Sequence, residues 1–336
     1  MEEDFNEAAL ACQQKRAAIA PVDDEFISLT KMAGLLDLSN RSRLCLLGSD
    51  RAKFLHGQVT NDINGLAEHT GCYAALVNAK GKMESDLFAY RLADEILLDF
   101  EPDLADAVRA RLESFIIAED VEVADVAPHF GLLSVQGPKA AEVLAALELP
   151  TPESEFSLTK TADEIFVVNQ PRLGSVGFDL FVPVDAAENL ESRLAEHAPL
   201  CSEAAFEKAR VLSTIPRFGK DFTSDNLAPE GGIEARAISY AKGCYIGQEI
   251  IARIRTYGRV NRTLVGYRLE ADLAPGTQLT DDSGKTVGTL TSVIESPRFG
   301  PIALGLVKRG SETPGQVLTA REPAQGQATV AEIPFR

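Results

Sequence analysis

The chain has 336 residues, with 50 acidic and 33 basic side chains, and its formal net charge is −17 at pH 7. This length corresponds to about two domains, or to three small ones, and 45% hydrophobic with 25% charged residues excludes a mostly disordered chain. No stretch approaches the roughly 18 apolar residues that span a membrane. The acidic start from Met1 to Phe5 has the pattern of neither a secretory signal nor a transit peptide. We therefore expect a cytoplasmic protein with no membrane partner and no direct nucleic-acid binding by its acidic surface.

The cysteines and histidines argue against several common kinds of site. The five cysteines lie far apart and form no Cys-x-x-Cys pair, which disfavours a zinc ribbon or a thioredoxin-type redox site. The four histidines form no His-x-x-x-His motif, and the chain has no nucleophile elbow, Walker loop or dinucleotide-binding glycine motif. We predict no metal site within the chain.

The first part of the chain mixes predicted helices and strands. Residues 2–19 predict a helix, acidic at its start and basic late, as the helix dipole favours. Asp50 is expected to cap a short helix that carries Phe54, Leu55 and His56. Apolar runs predict strands at 43–47, 73–78, 83–90 and 95–100, with a hairpin turn at 79–82, and the spacing of apolar residues predicts a helix over 104–117.

The next part repeats this mixture without a clear sequence repeat. Strands are predicted at 129–135, 164–168 and 177–182, and helices from Gly137 through Leu147 and over 186–197. Strands mixed with helices in both parts predict two α+β units of similar size.

From Arg262 onward the chain consists of short strands separated by turns. The predicted strands are 263–269, 285–294, 302–307, 316–319 and 328–333, and Pro-Gly, Arg-Gly and Asp-Ser-Gly turns separate them. This pattern is typical of a small all-β barrel or sandwich. We therefore expect three compact units rather than two.

The positive charge is concentrated in one window. Residues 236–268 contain seven basic residues and one acidic residue, so this window is +6 and the rest of the protein is −23. A basic stretch in an acidic protein indicates an anionic ligand or partner. The alternative is that these side chains form ion pairs with the acidic remainder.

Inside this window, residues 242–249 read Lys-Gly-Cys-Tyr-Ile-Gly-Gln-Glu. The glycines allow a tight backbone that exposes the Cys244 thiol, and residues from Gln248 to Ile254 predict a helix. Cys244 would then lie just before a helix N-terminus and close to Lys242, and both features favour a reactive thiolate. The alternative is a buried cysteine that packs as a small hydrophobic residue.

The motif at 242–249, with Ala252-Arg253 after it, resembles the signature of the YgfZ-type folate-binding proteins, which are relatives of the aminomethyltransferase (T-protein) of the glycine cleavage system. Residues 54–63, Phe-Leu-His-Gly-Gln-Val-Thr-Asn-Asp-Ile, resemble an early segment of the family, and residues 78–82 resemble its hairpin. Residues 210–219 and 227–230 resemble the stretch that leads into the Cys motif. The resemblance covers roughly residues 28–336.

This resemblance implies an α+β fold: an aminomethyltransferase-like cloverleaf of two α/β (ferredoxin-like) domains and a C-terminal small β-barrel. We divide the chain into an N-terminal helix (1–27), a first α+β domain (28–128), a second α+β domain with the Cys motif (129–258) and the barrel (259–336). The chain is expected to weave between the first two domains.

The resemblance also implies tetrahydrofolate as ligand and support of iron–sulfur cluster assembly or repair, with iron–sulfur client or assembly proteins as partners. Cys244 and Asp86 are the predicted catalytic residues. Arginine suits the anionic tail of a folate because it binds carboxylates through two hydrogen bonds. The predicted folate-binding residues are Asn78, Lys80, Glu230, Arg236, Lys242, Tyr245, Gln248 and Arg253.

Two residues depart from the aminomethyltransferase pattern. Leu212 stands where those enzymes carry a Glu that pairs with the pterin, and Thr214 stands at a usual Gly. Three hypotheses follow: a folate-binding accessory factor for iron–sulfur proteins, a folate-dependent aminomethyltransferase or demethylase that uses Asp86, and a protein-docking module that has lost the folate.

Overall fold

The computed structural model describes residues 22–258, 260–321 and 325–335, so the predicted helix at 2–19 lies outside the described residues. Within these ranges, no helix has the length and apolar character that crossing a membrane requires. The helices are α1 (Val22–Lys31), α2 (Arg51–Gln58), α3 (Ala105–Glu113), α4 (Ala140–Ala146), α5 (Val184–Ala195), α6 (Glu203–Leu212), α7 (Glu234–Ala237) and α8 (Gln248–Tyr257), and a 3-10 helix spans Ala228–Gly231.

Three antiparallel β structures organise the chain. The first sheet has the order β3-β4-β5-β2-β6, the second has the order β1-β7-β10-β9-β8, and six strands form a closed barrel in the order β11-β14-β13-β12-β15-β16. The strands are β1 (Gly34–Asp37), β2 (Ser42–Leu47), β3 (Thr70–Val77), β4 (Met83–Arg91), β5 (Ile96–Phe100), β6 (Glu122–Asp125), β7 (Phe130–Gln136), β8 (Leu158–Lys160), β9 (Phe166–Asn169), β10 (Gly177–Pro183), β11 (Arg262–Leu269), β12 (Gln278–Thr280), β13 (Thr286–Ser296), β14 (Gly300–Lys308), β15 (Val317–Ala320) and β16 (Gly326–Ala331). The predicted fold class, two α/β domains and a C-terminal β-barrel, is confirmed.

The two sheets lie face to face between outer helices. Alternate residues of each strand point to opposite faces, so Leu44 and Leu46 of β2 pack with α2 and α3, whereas Cys45 between them packs with Phe181 of the second sheet. The outer face of the second sheet packs with α4 and α5 in the same way.

The chain weaves between the sheets. Strand β1 precedes β2 in sequence, yet it pairs with β7 of the second sheet, with Gly34 opposite Gln136. In the opposite direction, the segment from Phe218 to Ile251 returns to the first sheet and packs on β3 and β4. The division of the chain into units at residues 27, 128 and 258 therefore stays a prediction about sequence order. In space, β1 of the first unit belongs to the second sheet, and residues 218–251 of the second unit pack on the first sheet.

Buried charges join the two sheets. Arg172 donates to Asp179 of the second sheet and, at 2.6 Å, to Asp99 of the first. Asp99 also accepts from Arg41 at 2.8 Å, and Arg41 binds Glu101 at 2.7 Å. Burial raises the pKa of Asp99, but Arg41 and Arg172 together lower it by more than burial raises it. The net shift of the pKa is therefore downward.

The same network continues to the barrel. Arg217 binds Glu101 at 2.6 Å and Glu207 of α6 at 2.7 Å, and Glu207 also accepts from Arg210. Arg210 donates to Asp221 at 2.7 Å, and Asp221 accepts from Ser292 on β13. We call this series of nine charged residues, from Asp179 to Asp221, the arginine–carboxylate network.

The structure adds elements to those predicted and corrects one detail. Helices α1, α6 and α7 and the short strands β1, β6, β8 and β12 had no predicted counterpart. Asp50 does occupy the N-cap position of α2, but its side chain accepts from the Asp120 backbone N–H rather than from α2. The predicted capping bond is therefore wrong.

Replacing Arg172 should destabilise the fold strongly. In Arg172→Met, two fully buried carboxylates lose their shared cation, and we expect a loss of about 3–5 kcal/mol in the free energy of unfolding. Urea denaturation followed by circular dichroism measures it. The matched control is Arg253→Met, whose ion pair with Glu249 is 63% and 82% exposed, and which should change stability by less than about 0.5 kcal/mol. Similar losses in both variants would contradict the role of the network.

Candidate functional site

A cavity opens where the two sheets meet the end of α6. The first sheet contributes Asp86 and Phe88, the loop between β9 and β10 contributes residues 170–172, and the chain after α6 contributes residues 214–217. Residues 232, 233 and 236 close the remaining side. We call this space the central cavity.

Asp86 is a buried carboxyl group in the wall of the central cavity. The Tyr73 hydroxyl donates to its Oδ2 at 2.6 Å, because β3 and β4 pair with Ala75 opposite Asp86 and so place both side chains on the inner face. Burial, followed by the negative charge of Glu101, raises the pKa of Asp86 to about 6. Asp86 can therefore exchange a proton with a ligand near neutral pH.

Most of the arginines that line the central cavity are already paired. Arg41, Arg172, Arg210 and Arg217 belong to the arginine–carboxylate network. Arg236 is 44% exposed and contacts only the similarly exposed Glu155 at 3.1 Å among the described acidic residues. Exposed pairs of this kind contribute little, so the Arg236 guanidinium is available to an anionic ligand.

An aromatic wall and an unpaired amide complete the cavity. Tyr73 and Phe88 pack with ring centroids 5.0 Å apart, and the Arg236 guanidinium lies 5.6 Å from the Tyr73 ring. Gln170 is 1% exposed, and its Oε1 has no hydrogen-bond partner within the described residues. Buried acceptors are normally satisfied, so this oxygen is a candidate ligand contact.

Cys244 lies on a different part of the surface, in a loop fixed on both sides. It is exposed, whereas Cys45, Cys72 and Cys201 are buried. Before it, Lys242 donates to the backbone carbonyls of His56, Val59 and Asn61 at 2.5–2.9 Å. After it, the Ile246 N–H donates to the Gly57 carbonyl at 3.1 Å.

The end of the Cys244 loop requires a glycine. Gly247, the N-cap of α8, has a φ of +81°, and a Cβ there would lie 2.5 Å from the Asn78 carbonyl oxygen. The predicted helix after Cys244 is confirmed as α8. His56 lies beside the Cys244 loop, since a Cβ on Gly243 would lie 3.5 Å from His56 Nε2. The other ring nitrogen of His56, Nδ1, lies 3.2 Å from the Asp62 carboxylate.

The predicted folate-binding residues are not brought together around one cavity. Of these eight, Arg236 lines the central cavity, and Asn78, Tyr245 and Gln248 line a separate open cleft between the β3–β4 hairpin and α8. Lys80 is exposed in the hairpin turn.

Three of the predicted contacts have structural partners instead. Burial lowers the pKa of Lys242 to about 8, and its ammonium group is used by the three backbone carbonyls of residues 56, 59 and 61. Glu230 accepts from the Leu227 N–H at 3.0 Å and so caps the 3-10 helix. Arg253 pairs with Glu249 one turn earlier on α8.

The basic window is not one surface. Arg236 lies at the edge of the central cavity, and Lys242 is buried beneath the Cys244 loop. Arg253 lies on the exposed side of α8, and Arg262 lies on β11. Arg236 pairs with Glu155 of the acidic remainder, as the alternative interpretation predicted, whereas Arg253 pairs with Glu249 inside the window and Lys242 binds backbone carbonyls. The anionic-ligand interpretation therefore rests on Arg236.

The two departures from the aminomethyltransferase pattern lie beside the central cavity. Leu212 ends α6 and packs with apolar residues, while Thr214 lines the cavity with a φ of +57°. This left-handed conformation favours glycine, so the turn is kept although the side chain is larger.

Sequence analysis missed Tyr73 and Gln170. Strand alternation across the predicted hairpin could have placed Tyr73 on the same face as Asp86. No local signal marks Gln170, because the packing of one sheet against the other brings its loop to the cavity.

Comparisons with known proteins agree with this architecture. The family model of the GCVT N-terminal domain matches residues 3–237, which is more than half of the chain. A chloroplastic protein of Arabidopsis thaliana named as a transferase is 30% identical over 90% of this chain and 71% of its own length. An aminomethyltransferase of Staphylococcus haemolyticus is 26% identical over 88% of this chain and 85% of its own.

A solved structure confirms the fold. The glycine cleavage system aminomethyltransferase T of Bartonella henselae superposes with a TM-score of 0.86. The match covers 94% of this chain and 89% of that chain at 24% sequence identity.

The raised pKa of Asp86 predicts a specific pH dependence. Between pH 3.8 and about 6 the unfolded chain releases this proton while the folded protein keeps it, so the free energy of unfolding should fall as pH rises, by about 3 kcal/mol in total. Asp86→Asn lacks this titration and should gain stability relative to the wild type over that interval. Urea denaturation from pH 4 to 7 measures the difference. The exposed Asp163→Asn is the control, and parallel curves for Asp86→Asn and wild type would refute the shift.

Proposed function

This chain belongs to the GCVT family, and from that premise we propose that it is a tetrahydrofolate-binding accessory protein of the YgfZ type. It supports iron–sulfur cluster assembly or repair in client enzymes through Cys244. The observation that carries the proposal is the exposed Cys244 thiol, held on a fixed loop outside the central cavity.

The central cavity fits a folate in its chemistry. A pterin ring needs an apolar or aromatic wall with a few fixed polar partners, and Tyr73, Phe88, Asp86 and Gln170 supply these. The glutamate tail needs a cation, and Arg236 is half-exposed at the cavity edge. When bound, tetrahydrofolate supplies amine nitrogens that carry one-carbon groups.

The thiol and the cavity serve different partners in this proposal. Cys244 is exposed, so it can meet a surface group of another protein. The clamp by Lys242 fixes the loop without placing the thiol among the residues that line the central cavity. A thiolate is a good ligand for iron in clusters, which makes a client or assembly protein the partner that suits this position.

Asp86 favours a second candidate, a folate-dependent aminomethyltransferase or demethylase. Its carboxylate lies in the cavity wall, accepts the Tyr73 hydroxyl and has a pKa near 6. It could then hold or accept a proton at an amine of the ligand. Leu212 counts against this candidate, because an apolar side chain accepts no pterin N–H.

Calorimetric titration with tetrahydrofolate tests the ligand. We expect binding by wild type and by Cys244→Ala with the same Kd, since the thiol lies outside the cavity. Arg236→Gln should bind about 10-fold more weakly because a charge-assisted hydrogen bond is lost. Arg253→Gln is the matched control from the same basic window. Absence of binding by the wild type would leave the docking module as the better hypothesis.

A cellular assay tests the role of the thiol. In cells whose cluster-dependent enzymes require this protein, Cys244→Ala should lower the activity of those enzymes, while its melting temperature and folate affinity stay at wild-type values. Asp86→Asn should lower cluster-enzyme activity less than Cys244→Ala does if the accessory role is correct, because Asp86 acts only through the ligand in the cavity. The opposite pattern, with Cys244→Ala active and Asp86→Asn inactive, would favour the transferase candidate.

A further inference from the structure

The Gln170 side chain carries an unsatisfied buried acceptor beside the arginine–carboxylate network. Most polar groups near it have partners: Asp99 and Asp179 bind Arg172, and Gln136 Nε2 donates to the Ser134 hydroxyl and to the Gln170 backbone carbonyl. The Tyr90 hydroxyl is also unpaired, but Tyr90 does not line the central cavity. Only the Gln170 Oε1 lacks a donor among the buried polar atoms described at the central cavity. An unpaired buried acceptor costs stability unless something else satisfies it.

The residues around Gln170 define what kind of donor fits. On one side, Phe88 lies under the Arg172 guanidinium at 5.4 Å and beside the Tyr73 ring at 5.0 Å. Arg172 does not donate to Gln170 Oε1 in this structure, and its Nε and Nη2 bind the two carboxylates. The fitting donor is therefore an N–H at the edge of a flat ring that packs on the aromatic wall.

We propose that Gln170 is the residue that recognises the pterin ring: its Oε1 accepts an N–H from the ring edge and takes over, as a neutral acceptor, from the carboxylate that Leu212 lacks. This proposal rests on the proposed folate binding and adds the orientation of the ligand. The ring enters first, towards Gln170 and the Tyr73–Phe88 wall, and the glutamate tail points outward to Arg236.

Two ligands separate the two ends of this orientation. 6-Methyltetrahydropterin has the ring without the tail, and tetrahydrofolate has both. In calorimetric titrations, Gln170→Leu should bind both ligands about 10-fold more weakly, because a buried ligand N–H loses its acceptor. Arg236→Gln should bind tetrahydrofolate more weakly and 6-methyltetrahydropterin as the wild type does.

A rescue variant distinguishes acceptance of a hydrogen bond from simple packing. Gln170→Glu keeps an acceptor at the same distance along the side chain and should retain binding of 6-methyltetrahydropterin. The melting temperature of ligand-free Gln170→Leu should equal or exceed that of the wild type, since the variant removes an unpaired buried amide. If Gln170→Leu does not fold, Gln170→Met, which keeps the side-chain length, replaces it in the same titration.

The outcomes separate this inference from the proposed function. If the wild type binds tetrahydrofolate and Gln170→Leu binds both ligands equally well, the assignment of Gln170 is overturned while folate binding stands. Loss of binding in both Gln170→Leu and Gln170→Glu would also overturn it, because the acceptor would not be the recognised feature. If the wild type binds neither ligand, the proposed function itself fails.

Discussion

The arginine–carboxylate network is the constraint on which the arrangement of this molecule depends. Hydrophobic contact between the inner faces of the two sheets is non-directional, and several relative positions of the sheets would bury similar apolar area. Asp99 and Asp179 restrict this freedom, because each is fully buried and each binds the one guanidinium of Arg172. Leaving either carboxylate unpaired would cost several kcal/mol, so the position seen here is the one that satisfies both. Through residues 101, 217, 207, 210 and 221 the same argument extends from the sheets to β13 of the barrel.

This network also determines which groups in the central cavity remain free for chemistry. It binds four of the arginines that line the cavity, and it lowers the pKa of Glu101, because Arg41 and Arg217 together outweigh the effect of burial. Asp86 lies just outside the network, with a tyrosine hydroxyl rather than an arginine as its partner, so burial dominates and its pKa rises instead. Within the described residues, the cavity thus presents a carboxyl group that titrates near neutrality, a weakly held cation in Arg236 and an unpaired acceptor in Gln170. A ligand with ring N–H groups and a carboxylate tail matches this combination.

The sequence predicts the long elements and the chemical identity of the site better than their spatial assignment. The hairpin, helix α8 and the barrel strands follow from apolar periodicity and turn residues, whereas strands such as β1 and β8 have four residues or fewer and carry too little periodic signal. Asp86 was identified through the family resemblance, and the register of β3 and β4 places it on the same face as Tyr73. Lys242 and Glu230 were expected at the folate, but charge in a sequence does not reveal that backbone carbonyls and N–H groups will use it. Gln170 could not be found, since the face-to-face packing of two sheets brings its loop to the cavity.

The β3–β4 hairpin links the two candidate functions of the protein. On its inner face it carries Tyr73 and Asp86, and at its turn the Asn78 carbonyl packs against Gly247, where α8 and the Cys244 loop meet. The loop is bound to α2 on both sides of the thiol, before it by the Lys242 ammonium group and after it by the Ile246 N–H. A partner that uses the thiol must therefore bring its own reactive group to a fixed point on this surface. The hairpin therefore contributes to both the central cavity and the support of the Cys244 loop, although the thiol is not among the residues that line the cavity.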